Sequence, residues 1–297
     1  MKILVLGRNG MLGNVVYDFF SEKGYDVIGT DIKGDGIYYD AFSNINLLED
    51  IIKENCPNVI INCIGILNKV AEDNKLLAVR LNSELPHYID YLSNQYNFKF
   101  IHVSTDCVFS GNKGNYDELS LPDAESFYGR SKALGEITTG NNVTLRTSII
   151  GPDNNPNGIG LFQWFMNQKN EIYGYKDVIW TGVTTLELAK QMEVAIKKDI
   201  KGLNHVVNNE MISKYDLLNL FKEVFNKDIN ILENNEVKSY KTLIRTDNSY
   251  NFSIPSYNAM IIEMKNWILE HKEKYKNIIE NSGLEFDYNE SNDNSRN

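Results

Sequence analysis

Ile3-Leu-Val-Leu-Gly-Arg-Asn-Gly-Met-Leu-Gly13 sets an apolar run of strand length directly against three glycines in the spacing G-x-x-G-x-x-G. The glycines let the chain turn tightly and let the next helix start close against the strand. That helix presents unpaired N–H groups and the positive end of its dipole at its amino terminus. A turn of this kind, between a first strand and a first helix, is where a doubly wound α/β sheet receives a pyrophosphate. The spacing is not G-x-G-x-x-G, and a glycine turn alone is also compatible with a tight turn that holds no ligand. Its strand-turn-helix setting points to a dinucleotide site.

Outward from this turn the alternation repeats. Asp26 to Thr30, Val59 to Cys63, Phe98 to Val103 and Val143 to Arg146 are further β-branched or apolar runs. Met11 to Lys23, Ile45 to Asn55, Leu76 to Gln95 and Tyr128 to Thr139 separate the runs, with apolar residues at helical spacing. This order predicts an α/β protein with a Rossmann-type doubly wound parallel sheet and a smaller C-terminal substrate-binding lobe. We expect residues 1–150 to form an NAD(P)-binding domain completed by 182–207. Residues 151–181 and 208–284 would form the lobe, with Leu161 to Met166 an aromatic-rich helix. The acidic, Asn- and Ser-rich stretch 285–297 has little to bury and is expected to be mobile.

The 297 residues carry a net charge of −10, which argues against a nucleic-acid partner, since phosphate backbones draw on clustered Lys and Arg. Cys56, Cys63 and Cys107 are odd in number and contain no C-x-x-C pair, as expected of a reducing, cytoplasmic setting. The opening apolar run stops at Gly7-Arg8, too short for a secretory core or a membrane span. The four histidines share no metal-ligand spacing, so no metal is expected.

Two constellations bear on chemistry. Asp31 ends the second strand, where an acidic side chain takes the adenosine ribose hydroxyls of NADH; Arg8 and Lys33 suit the 2′-phosphate of NADPH, so both cofactors stay open. Tyr128 and Lys132 stand four apart on an expected helix, where a phenol and an ammonium share a face and the ammonium favours the phenolate. They follow a strand ending in Val103-Ser-Thr105, whose hydroxyl would reach the same carbonyl.

Gly7-x-x-Gly10-x-x-Gly13, Val103-Ser-Thr-Asp-Cys-Val-Phe109, Gly111 to Tyr116 and Tyr128-Gly-Arg-Ser-Lys132 with Gly135-Glu136 together resemble the extended short-chain dehydrogenase/reductase family, in its dTDP-4-dehydrorhamnose reductase branch. Asp40, Phe42, Asn62, Ala71-Glu72, Leu81-Asn82 and Leu145-Arg-Thr-Ser148 extend the resemblance over nearly all of the first 150 residues. Thr181-Gly182 and Arg245 with Asn248-Ser249 extend it less specifically. The resemblance implies that Tyr128 protonates a sugar ketone as hydride arrives, that Lys132 binds the nicotinamide ribose and lowers the pKa of Tyr128, and that Thr105 hydrogen-bonds the ketone. It implies a cofactor lined by Gly7, Arg8, Asn9, Gly10, Met11, Leu12, Gly13, Asp31, Lys33, Asp40, Ala41, Asn62, Cys63, Ile64, Gly65 and Asn82. It places a nucleotide-sugar substrate against Ser104, Asp106, Cys107, Trp180 and Arg245, and leaves a homodimer open.

Departures from the family pattern matter. Cys107 stands where the branch usually has an aromatic residue that faces the sugar, and Trp180 is unusual. A smaller residue 107 beside Trp180 would admit a bulkier C2 group such as N-acetyl. Dehydratases follow the threonine with Asp-Glu, whereas Thr105 is followed by Asp106-Cys107, so elimination lacks half of its acid-base pair. A bifunctional epimerase/reductase and a non-catalytic subunit of the same fold remain as alternatives.

Overall fold

Five of the apolar runs find one another edge to edge, because in-register parallel pairing leaves no backbone N–H or C=O unmatched in the interior. In the computed structural model, which describes residues 1–34, 36–208, 210–246 and 252–284, the first strands are β1 (Lys2–Leu6), β2 (Asp26–Asp31), β3 (Ile37–Tyr38), β4 (Val59–Asn62), β5 (Lys99–Thr105) and β6 (Val143–Thr147). Then follow β7 (Ile149–Ile150), β8 (Glu171–Tyr175), β9 (Ile179–Trp180), β10 (Val183–Thr184), β11 (Gly202–His205), β12 (Ile212–Ser213) and β13 (Asn230–Asn234). The main sheet has seven strands in the order β11-β6-β5-β4-β1-β2-β3, every neighbouring pair parallel. This is the Rossmann-type sheet expected from the sequence, and its order reverses between β1 and β4. Val59 to Asn62 is wholly buried, as a strand covered on both faces must be.

The helices are α1 (Met11–Glu22), α2 (Leu47–Asn55), α3 (Asn68–Asp73), α4 (Lys75–Ala78), α5 (Leu85–Tyr96), α6 (Phe127–Leu134), α7 (Leu161–Met166), α8 (Thr185–Lys197), α9 (Lys214–Val224), α10 (Tyr257–Glu270) and α11 (Lys276–Glu280). Two differ from expectation. The stretch expected as one helix from Leu76 to Gln95 is interrupted by a π-helical turn, Val79–Glu84, ahead of Pro86 in the first turn of α5. The helix expected to reach Thr139 stops at Leu134, capped at Gly135, where a Cβ would stand 2.0 Å from the Asn82 carbonyl oxygen. Ending there frees Glu136 to turn inward and pair with Arg146.

Two cores flank the sheet. One holds Val15, Val16 and Phe20 of α1 and runs on into Phe162, Phe165, Phe221, Trp180 and Trp267. The other packs Leu48 and Ile52 of α2 and Leu85, Ile89 and Leu92 of α5 against Leu4, Leu6, Ile60 and Phe100. No helix among the described residues is long and apolar enough to cross a membrane. The expected mobile tail 285–297, and Asn248-Ser249, lie outside the described residues.

Candidate active site

A cleft of about 360 Å³ opens at the carboxyl ends of β1, β4, β5 and β6. Gly10, Met11 and Leu12 form one wall and the segment from Asn62 to Asn68 another. The end of β5, Val103 to Cys107, Tyr128 and Lys132 of α6, Thr147 to Ile149, and Ile159 to Leu161 complete it. Of the residues singled out in the sequence, Gly10, Met11, Leu12, Asn62, Cys63, Ile64, Gly65, Ser104, Thr105, Asp106, Cys107, Tyr128 and Lys132 therefore meet around one space.

The glycine turn behind this wall is shaped as an anion cradle. Gly7 has φ +76, and a Cβ at Gly13 would stand 2.1 Å from the Gly7 carbonyl oxygen, so a side chain at 13 would push α1 off the turn. Gly10 is the N-cap of α1 and offers no side chain to its N–H groups, which stay available to a phosphate. The residues present thus fit a dinucleotide pyrophosphate. Asn9 ties the turn to the end of β2, donating to the Asp31 carboxylate and, at 3.1 Å, to the Lys33 carbonyl. The other Asp31 oxygen accepts from the Ile32 N–H at 2.8 Å. Arg8 lays its guanidinium over the Tyr17 ring at 4.5 Å, and Lys33 is exposed.

Other expected cofactor residues act one step back from the cleft wall. Asp40 accepts from the Phe42 N–H at 3.0 Å and from Ser43, whose hydroxyl bond holds the carboxyl below its usual range. Ala41 is buried in the core. Asn82, on the π-helical turn, accepts from the Ile66 N–H at 3.0 Å and donates to the Ile66 carbonyl at 3.1 Å and to Ser131 at 3.0 Å. It thereby joins the segment after β4 to α6.

Helix α6 is placed by its own first turn. The Ser126 hydroxyl accepts from the Gly129 N–H at 3.1 Å, and Glu72 of α3 accepts from the N–H groups of Phe127 at 2.6 Å and Tyr128 at 3.2 Å. A carboxylate at the positive end of the helix dipole is favourable as well as hydrogen-bonded. A Cβ at Gly129 would meet the Cys107 carbonyl oxygen at 2.1 Å, so only glycine lets the helix rest on the chain leaving β5. That close approach brings Tyr128 to the cleft wall that Thr105 also lines.

Burial pushes the Tyr128 phenol well above its ordinary range, and the nearby Thr105 hydroxyl opposes this only in part. The expected lowering by Lys132 is not what the structure has. The Lys132 ammonium is committed to the Val103 carbonyl at 2.7 Å, and burial brings its own pKa down to about 8 against the pull of Glu136. Thr105 also donates to Asp106 at 3.1 Å and accepts from the Cys107 N–H at 3.1 Å. Burial raises the Asp106 carboxyl, opposed by Lys214 and Lys241, and pushes the Cys107 and Cys63 thiols up to about 12, so neither is a thiolate near neutrality.

Trp180 and Arg245 are outside the cleft wall. Trp180 is buried with its ring 5.6 Å from that of Tyr257 and under the Lys214 ammonium at 5.0 Å, and Arg245 lies over Phe252 at 5.2 Å. In the sequence Glu72 stood out only as part of the resemblance, without its placing role, and the wall residues Ile66 to Asn68, Ile159 and Gly160 carried no signal. Thr147 and Ser148, just past the end of β6, had a usable signal, since ligands in such sheets sit beyond the strand carboxyl ends.

A family model described as the RmlD substrate binding domain matches residues 1–277. The spore coat polysaccharide biosynthesis protein SpsK of Bacillus subtilis is 26% identical over 229 residues, 75% of this chain and 78% of that protein. Methionine adenosyltransferase 2 subunit beta of Xenopus laevis is 27% identical over 244 residues, 76% of this chain and 72% of that protein. Among solved structures, a dTDP-4-dehydrorhamnose reductase of Bacillus anthracis in complex with NADP superposes with a TM-score of 0.77 at 21% identity, over 90% of this chain and 99% of that one. At that identity the likeness to the solved structure speaks for the fold.

Proposed function

The chain belongs to the RmlD substrate binding domain family, and from that premise we propose that it is an NAD(P)H-dependent reductase of the 4-keto group of a nucleotide-linked 4-keto-6-deoxyhexose. The observation that carries the reading is the meeting of Thr105, Tyr128 and Lys132 on one cleft beside the glycine turn. A relative named for polysaccharide biosynthesis and a structural neighbour named as a reductase agree with it.

When bound, a reduced nicotinamide supplies the hydride. The turn from Gly7 to Gly13 would hold its pyrophosphate, Asp31 with Arg8 and Lys33 its adenosine ribose, and Asn62 to Gly65 the wall along it. Tyr128, fully protonated at neutral pH because it is buried, donates its proton to the ketone oxygen as that oxygen gains charge. Thr105 gives the same oxygen a hydrogen bond, strongest when the charge is greatest. Lys132 would bind the nicotinamide ribose, and its tether to Val103 keeps its positive charge in the cleft. Asp106 and Cys107 face the sugar. The small Cys107 admits a C2 acetamido group, which makes a UDP-2-acetamido-2,6-dideoxy-4-ketohexose a substrate alongside dTDP- or UDP-linked rhamnose precursors.

The test is oxidation of NADPH and NADH by the purified protein with a panel of 4-keto-6-deoxy nucleotide sugars. Equal turnover of acetamido and hydroxyl substrates would remove the argument from Cys107. The likeness to a subunit named beta sustains a second reading, a binding subunit without turnover. Cofactor binding with no oxidation above background across the panel would favour it.

A further inference from the structure

Glu136 is used by no step above, yet its buried carboxylate accepts three hydrogen bonds. Its Oε1 accepts from the Ser104 hydroxyl at 2.6 Å and from Arg146 Nε at 2.9 Å, and its Oε2 from Arg146 Nη2 at 2.6 Å. The Glu136 and Arg146 side chains are 4% and 2% exposed. Arg146 also meets His205 Nε2 at 3.0 Å and lies over the Phe109 ring at 4.9 Å, so its plane is held on three sides. Ser104 is the residue between Val103, whose carbonyl holds the Lys132 ammonium, and Thr105, which lines the cleft with Tyr128. Glu136 also lies four residues beyond Lys132, just past the end of α6.

From this geometry we propose that Glu136 is a positioning residue for the reaction proposed above: through Ser104 it fixes the strand end that carries the Val103 carbonyl and the Thr105 hydroxyl, and it sets its negative charge toward Lys132. The inference rests on the proposed reduction for its catalytic meaning, but not for its electrostatics. Burial draws the Lys132 pKa down to about 8 and Glu136 opposes that fall, so neutralising Glu136 lowers it further and discharges the ammonium nearer neutrality. The other titratable groups around the pair are His102 from β5, and Arg146 and His205 from β6 and β11, with Glu118 facing His205. Burial keeps both histidines neutral at and above neutral pH, so Lys132 is the group of this cluster that titrates between neutral and mildly alkaline pH.

The test titrates Lys132 in the full-length protein by NMR of carbon-13 at lysine Cε, the signal assigned by its loss in Lys132→Arg, and follows kcat and KM for NADPH oxidation in parallel. Glu136→Gln is expected to lower the Lys132 midpoint by about one pH unit or more. Ser104→Ala, which keeps the charge and removes the anchor, is expected to leave the midpoint in place and lower kcat about tenfold with KM unchanged. An unchanged midpoint in folded Glu136→Gln overturns the electrostatic half, and parental kcat in Ser104→Ala overturns the positioning half. If Glu136→Gln leaves Arg146 uncompensated and does not fold, Glu136→Asp decides: it keeps a charge for Arg146 but withdraws it by one methylene, and a midpoint lower by a few tenths of a pH unit supports the inference while none overturns it. A parent that oxidises NADPH with no sugar of the panel refutes the proposed function, and the lysine titration still decides what Glu136 does to Lys132.

Discussion

Tyr128 and Lys132 are one helical turn apart, but burial moves them in opposite directions: the phenol holds its proton more tightly and the ammonium holds its own less. The donor is thus charged with a proton throughout the working range, and the group that titrates in that range is the lysine. Tyr128→Phe should keep cofactor affinity and lower kcat by about 10²-fold or more, as a lost general acid does; cofactor binding and steady-state rates measured side by side would check both halves, and a near-parental rate would send the proton elsewhere. Lys132 is cationic below its pKa of about 8 and neutral above it, so kcat should decline as pH rises through about 8. A rate that stays level far into the alkaline range would show that the ammonium charge is not needed. At this scale the Tyr-x-x-x-Lys spacing was legible because it is local, while the hand-off of Lys132 to the Val103 carbonyl joins residues far apart in the chain and has no local signature.

At the scale of elements, close backbone approaches decide where the chemistry sits. α6 rests on the Cys107 carbonyl through Gly129 and ends against the Asn82 carbonyl through Gly135. Gly129→Ala should displace Tyr128 relative to Thr105 by something near 1 Å and cost about 10²-fold in kcat with the protein still folded, to be read from rates and from circular dichroism. α1 is clasped from outside along one face: Tyr275 donates to Asn14, Lys274 to Asp18, and His271 meets Glu22 at 2.6 Å. The 14, 18, 22 spacing is one helix face, and 271 to 275 is the turn between α10 and α11. Tyr275→Phe strands a buried amide oxygen and should lower stability by about 1–3 kcal/mol in denaturant unfolding. The apolar period marked α1 correctly, but helical propensity could not reveal where the Leu76 stretch turns π-helical or where α6 stops, because those ends are set by what the helix packs against.

In the molecule as a whole, two histidines are stored neutral in the interior. Burial and Arg146 bring His205 down to about 4, and burial brings His102 well below its ordinary value. The unfolded chain binds those protons near pH 6.5 and the folded chain does not, so stability is present above that pH and is lost as pH falls toward 4, by about 3 kcal/mol for His205 alone. Melting temperature against pH should show this fall, and His205→Asn should flatten part of it; an equally steep fall in the variant would assign it to carboxylates instead. The sequence by itself determined the parallel sheet and its glycine turn, because alternating apolar runs and a turn needing glycine are written in neighbouring residues. It also marked Thr105, Tyr128 and Lys132, each at the end or start of such a run. Only the tertiary structure decided that Trp180 is buried under Lys214 outside the cleft, that Glu72 places α6, and that Glu136 holds Ser104 and Arg146 together. Those are contacts between segments distant in sequence, and what fixes them is the demand that each buried charge and hydrogen-bonding group find a partner once the strands have closed around it.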